Sequence, residues 1–200
     1  MKLTTAQIKV IEQEIATRPG QIDPIQRVFN QANDFFHAAC RCAAEDQTDT
    51  GGLWPGVPML TNTAFACELY FKALLLQSAK SAHGHELRSL YGSLPEADRN
   101  GISDEYMKLS GEGTGQFLQD LADISRAFVD WRYIYEEKLL RPIALADVHA
   151  LARSLLRFIL QTKAWPMNET LVALLDVELP QNITHLIVLP DGRTARLRQG

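Results

Sequence analysis

The chain has 200 residues, which fits one domain or one domain with an appendage and excludes a fibre or a large multidomain machine. With 46% hydrophobic and 22% charged residues it can bury a sizeable core, so a wholly disordered chain is excluded as well. Lys and Arg total 20 against 24 Asp and Glu, which argues against a strongly basic nucleic-acid binder while leaving room for a local basic patch.

Residues 1–20 read as an N-terminal segment ahead of a helical bundle. Between Gln21 and Ala44, the residues Ile22, Ile25, Phe29, Ala32, Phe36, Ala39 and Ala43 recur at steps of three and four. That spacing predicts an amphipathic helix with one buried face, capped by Asp23 and tolerant of Pro24 in its first turn. Polar residues from Glu45 end it, and Trp54, Pro55, Gly56 and Pro58 predict a loop. A second helix is expected from Thr61 to Lys80, opened by Asn62 or Thr63. It is apolar nearly all round, so it should lie centrally.

Gly84 predicts a turn, followed by a short helix through Leu90 and Tyr91. Pro95 begins another helix that continues toward Leu109, and the glycine-rich stretch from Ser110 breaks it. The stripe Phe117, Leu121, Ile124, Phe128, Trp131 and Tyr135 predicts a long helix. After the interruption at Pro142, the positions Leu145, Val148, Leu151, Ala152, Leu155, Leu156 and Ile159 draw the last one, ending near Trp165 and Pro166. His185 to Leu189, a turn at Pro190, Asp191 and Gly192, and the run from Arg193 read as two short strands. The expected fold is all-α: an up-and-down bundle over residues 21–166, with a C-terminal extension over 167–200 that carries a small β-hairpin.

Cys40, Cys42 and Cys67 are too few and too odd in number for a disulfide framework, and the chain's start lacks the continuous apolar core of a secretion signal. No apolar run approaches the roughly 18 residues a membrane span needs. A soluble, cytoplasmic protein with no membrane partner is the expectation. Phosphate loops, dinucleotide fingerprints, nucleophile elbows and paired zinc-ligand motifs are all absent. His37, Cys40 and Cys42 come near a metal-ligand set, but offsets of three and five residues put them on different helix faces, so no metal and no cofactor is expected.

The informative polar residue is Glu68, set among apolar neighbours on the second helix. Buried there, it must be paired or hydrogen-bonded, because an isolated buried charge costs several kcal/mol. Lys72, four residues on, offers a plain helix-surface pair worth about 0.2–0.5 kcal/mol. The sharper reading is an interhelical polar cluster that also draws in His85 or Arg132. His85 precedes a predicted helix and either caps it or turns inward to a carboxylate, with His83 as the solvent-facing alternative. Arg132, flanked by Tyr133 and Tyr135, suits stacking and phosphate binding, with Glu136 or Asp130 as ordinary partners. His149, Arg153 and Arg157 repeat every four residues as a basic ridge, either a solvated face or a phosphate track.

The stretch ELYFKALL from Glu68 to Leu75, GHEL from Gly84 to Leu87, and WRYIYE from Trp131 to Glu136 together resemble the HEPN superfamily, especially its bacterial stand-alone members. The resemblance covers residues 22 to 164. It implies a compact helical bundle, commonly a homodimer, acting in toxin–antitoxin, phage-defence or RNA-processing systems. Many members are metal-independent ribonucleases whose signature is an arginine followed after four to six residues by a histidine. Arg132 occupies the arginine position, but Glu137, Lys138 and Leu139 stand where the histidine belongs. Arg141 and His149 are separated by one residue too many, with Pro142 between them.

The resemblance therefore implies a non-catalytic domain that binds RNA or a nucleotide through Glu68, Lys72, His85, Arg132, Tyr133, His149, Arg153 and Arg157. A protein-interaction or dimerisation module using Trp131 or the Trp54 loop is the alternative. A third reading is a ribonuclease with a non-standard histidine, whose catalytic candidates are Arg132 and His85.

Overall fold

The computed structural model describes residues 9, 23–44, 56–111, 113–132, 143–163, 165, 173–177, 185–188 and 194–197. These are predominantly helical: α1 is Pro24–Ala44, α2 Gly56–Gln77, α3 Leu87–Ser93, α4 Glu96–Ser110, α5 Thr114–Arg132 and α6 Leu145–Thr162. The N-terminal segment, apart from Lys9, and the turn expected at residues 190–192 lie outside the described residues.

Helix α1 begins as its sequence dictates. The Asp23 carboxylate accepts from the Ile25 N–H at 3.1 Å, supplying an acceptor to one of the amides that a helix start leaves without a partner. Its apolar stripe then buries Phe29, Ala32, Phe36, Ala39 and Ala43, all at most 2% exposed, chiefly against α2.

Helix α2 is the centre of the molecule, touching α1, α3, α5 and α6. It starts at Gly56 and not at the expected Thr61. The prolines and glycines before Thr61 suggested a loop, but Pro58 falls in the first turn, where the missing N–H has no helical partner to lose. The expected caps at Asn62 and Thr63 are consequently inside the helix. Thr63 Oγ1 donates to the Met59 carbonyl at 2.8 Å, bonding back along its own helix.

The other end of α2 is closed by backbone geometry. The Lys80 N–H reaches the Leu75 carbonyl at 2.9 Å and the Ala79 N–H reaches Leu76 at 3.0 Å, the two bonds of a Schellman cap. Ala79 takes the left-handed position at φ 52°, a conformation that normally falls to glycine.

Polar pairs tie the remaining helices together. Lys163, just past α6, holds both oxygens of buried Asp98 on α4 at 2.8 and 3.0 Å. Tyr106 of α4 donates to Asp120 of α5 at 2.7 Å. Ser125 of α5 accepts from the first N–H of α3, that of Leu87, at 2.7 Å and donates to its own Leu121 carbonyl at 2.9 Å. Helices α4 and α6 approach closely at Gly101, where a Cβ would come within 2.5 Å of the Phe158 ring. Within the extension, Leu174 is buried, so residues 173–177 dock on the helical core.

Ala79→Gly is expected to raise unfolding free energy by about 0.5–1 kcal/mol, because glycine relieves the left-handed strain at the α2 cap. Urea denaturation followed by circular dichroism measures it, with an unchanged m-value showing that the folded and unfolded states are otherwise the same.

Candidate functional site

Glu68 sits in the middle of α2 with its side chain 2% exposed. Lys72, one turn on, donates to Glu68 Oε1 at 2.7 Å, and His85 Nδ1 lies 3.0 Å from the same oxygen. Of the further partners expected for Glu68, His85 is brought to it from the segment between α2 and α3. The second carboxylate oxygen, Oε2, is buried and has no hydrogen-bond partner among the described residues.

His85 is held over Glu68 by the chain on both sides of it. The α2 cap turns the backbone at Ala79, and Lys80 Nζ bonds the Ser93 carbonyl at 2.7 Å. Gly84 then adopts φ 91°, a conformation that suits glycine. Glu86, not His85, caps α3 by accepting from the Arg88 and Ser89 N–H groups, which frees the imidazole to turn toward the carboxylate. His85 itself remains 74% exposed, and Lys72 is 19% exposed. The cluster therefore grades from a buried carboxylate to a solvent-facing imidazole. His83 is exposed, as expected for the solvent-facing alternative.

The basic ridge expected on α6 is corrected by burial. His149 is only 4% exposed, packs beside Phe36 with ring centroids 5.4 Å apart, and bonds the Val177 carbonyl through Nε2 at 2.8 Å. Because a carbonyl only accepts, Nε2 carries the proton. Burial pushes the imidazole down to about 4; the Val177 bond opposes this and the charge of Arg153 adds to it. At neutral pH His149 is an uncharged core group and no cation of a phosphate track. The spacing of four placed it on a line with Arg153 and Arg157, but that line begins in the core. Arg153 and Arg157 are half-buried, and the Arg153 Nε is buried without a hydrogen-bond partner among the described residues.

Arg132 is the last residue of α5; its side chain, and Tyr133 altogether, lie outside the described residues. His37 is exposed, Cys40 buried and Cys42 intermediate, so the three diverge as their spacing predicted. Burial pushes the Cys40 thiol up to about 12, against the nearby Arg153 charge, and raises that of Cys67 too. Neither is a ready nucleophile. Two features escaped the sequence reading: the partnerless Glu68 oxygen and the capture of Val177 by His149. Both depend on which groups arrive from distant chain segments. No known protein family, curated protein or solved structure matches the chain.

Replacing Glu68 by methionine should leave stability within about 1 kcal/mol of the parent or raise it, since a half-satisfied buried carboxylate is removed and both partners can return to water. Chemical denaturation of the two proteins side by side tests this, and a loss of several kcal/mol would show that the cluster holds the fold together.

The buried His149 also makes stability pH-dependent. Its folded value near 4 lies below the ordinary 6.5, so over that window the unfolded chain binds a proton that the native state does not. Its contribution is complete above pH 6.5, falls as pH drops toward 4, and amounts to about 3 kcal/mol over the window. Unfolding free energies of wild type and His149→Leu measured from pH 7 to 4 should show the shallower slope in the variant.

Proposed function

We propose that the chain is an HEPN-like domain, homodimeric, that binds RNA or a nucleotide and serves phage defence, toxin–antitoxin control or a stress response. The observation that carries this reading is the convergence of Lys72 and the largely exposed His85 on one oxygen of a buried carboxylate. A protein gains little stability from a carboxylate that is only half hydrogen-bonded in its interior, so its retention is more readily explained by a ligand than by folding. In this reading Arg132, Arg153 and Arg157 supply phosphate contacts, in keeping with the planar fork of the guanidinium. The proposal includes an up-and-down bundle and a C-terminal hairpin, for which the antiparallel register of His185–Val188 with Thr194–Leu197 is the feature it draws on.

A second reading, a metal-independent ribonuclease with a non-standard histidine, is favoured by one specific observation. His85 reaches Glu68 across 17 residues of chain, the kind of carboxylate contact that orients a working imidazole.

Fluorescence anisotropy with labelled single-stranded RNA and with mononucleotides tests the binding reading. RNA affinity should fall as salt rises, with a slope of log K against log salt of about −0.7 per phosphate contact. Binding should weaken in Lys72→Ala and Arg153→Ala. Absence of any association at the lowest salt would exclude this function.

A further inference from the structure

We propose that Glu68 and His85 form a carboxylate–imidazole pair that presents His85 Nε2 outward as a proton acceptor for a hydroxyl of the bound ligand. The inference rests on the nucleotide-type ligand proposed above for the hydroxyl, a ribose one. It adds a chemistry that binding alone does not need.

The tautomer follows from the donors and acceptors present. Lys72 contacts Glu68 Oε1 at 2.7 Å, an ammonium–carboxylate pair, so that oxygen can only accept. His85 Nδ1, 3.0 Å from the same oxygen, must therefore be the donor. In a neutral imidazole this leaves the lone pair on Nε2. The side chain is 74% exposed, and no described residue bonds Nε2, so that lone pair faces solvent and any ligand docked there.

The carboxylate is also placed to stabilise the cation that proton uptake creates. Both of its donors share Oε1, while Oε2 is buried and partnerless among the described residues. Its negative charge is thus incompletely offset by hydrogen bonds, and it lies directly beside the ring that takes up the proton. In the step itself, the ligand O–H bond breaks and its electron pair stays on oxygen. The proton forms a new N–H bond at Nε2. The Nδ1 proton remains on the ring, hydrogen-bonded to Glu68. His85 is then the catalytic residue and Glu68 a positioning residue.

His83, exposed and two residues away, is a built-in control. Long-range nitrogen–proton correlation spectra of the full chain should show His85 as the Nδ1–H tautomer, with His83 in the Nε2–H form that free histidine prefers. In mildly alkaline buffer, diethyl pyrocarbonate should modify His85 faster than His83. That advantage should be lost in Glu68→Gln and kept in Lys72→Met, which removes the ammonium group but leaves the carboxylate in place. An Nε2–H tautomer at His85, or equal rates at the two histidines in wild type, would overturn the proposal even if a variant failed to fold. A correct tautomer and a fast His85, combined with no RNA or nucleotide binding, would instead sink the binding reading and leave the pair standing.

Discussion

A carboxylate in the interior of the most apolar helix sets the terms for the surrounding structure. Glu68 is 2% exposed, and a charge so placed persists only where donors reach it. One donor comes from its own helix, Lys72 a turn away, at no cost in chain topology. The other, His85, comes from a separate segment and requires α2 to stop where it does. The Schellman cap at Ala79, the left-handed Gly84 and the capping of α3 by Glu86 all shape that short return path. The strained alanine is tolerated because bonds on either side over-determine its conformation.

The two histidines brought into contact with the core show how environment divides one residue type into two roles. His149 lies beneath Phe36 and residues 173–177 and stays neutral because water cannot reach it. His85 keeps most of its surface in solvent and touches the interior through a single nitrogen. The first joins a chain segment to the bundle, and the second has a free nitrogen at the surface. Helical spacing alone placed His149 with Arg153 and Arg157 as a third cation, although its ring belongs to the packing between α1 and α6.

The other polar contacts between helices are ordinary fold chemistry. Asp98 with Lys163, Tyr106 with Asp120, and Tyr70 with Asn33 each join two segments through a buried group whose partner arrives at hydrogen-bond distance. In contrast to these satisfied pairs, Glu68 Oε2 has no partner among the described residues, a condition it shares with Ser103 Oγ, His149 Nδ1 and Arg153 Nε. Buried polar groups in proteins are seldom left unpaired, and where they are, a working site is a common reason.

Helical character and the buried stripes were legible from residue spacing alone. Phe29, Phe36 and Ala43 on α1, Phe117 and Leu121 on α5, and Leu151 and Leu155 on α6 are all buried as their three-and-four spacing requires. The sequence also showed that Glu68 needed partners, because its immediate neighbours are apolar. It could not settle the start of α2, since proline in a first turn and proline in a loop look alike along the chain. Nor could it choose between His85 as a cap and His85 as a carboxylate partner, or see that His149 faces inward. Those outcomes depend on contacts 17 and 28 residues apart in the chain, between Glu68 and His85 and between His149 and Val177. Periodicity reports only which face of one element is apolar, whereas a polar side chain's role is decided by what tertiary packing brings to it.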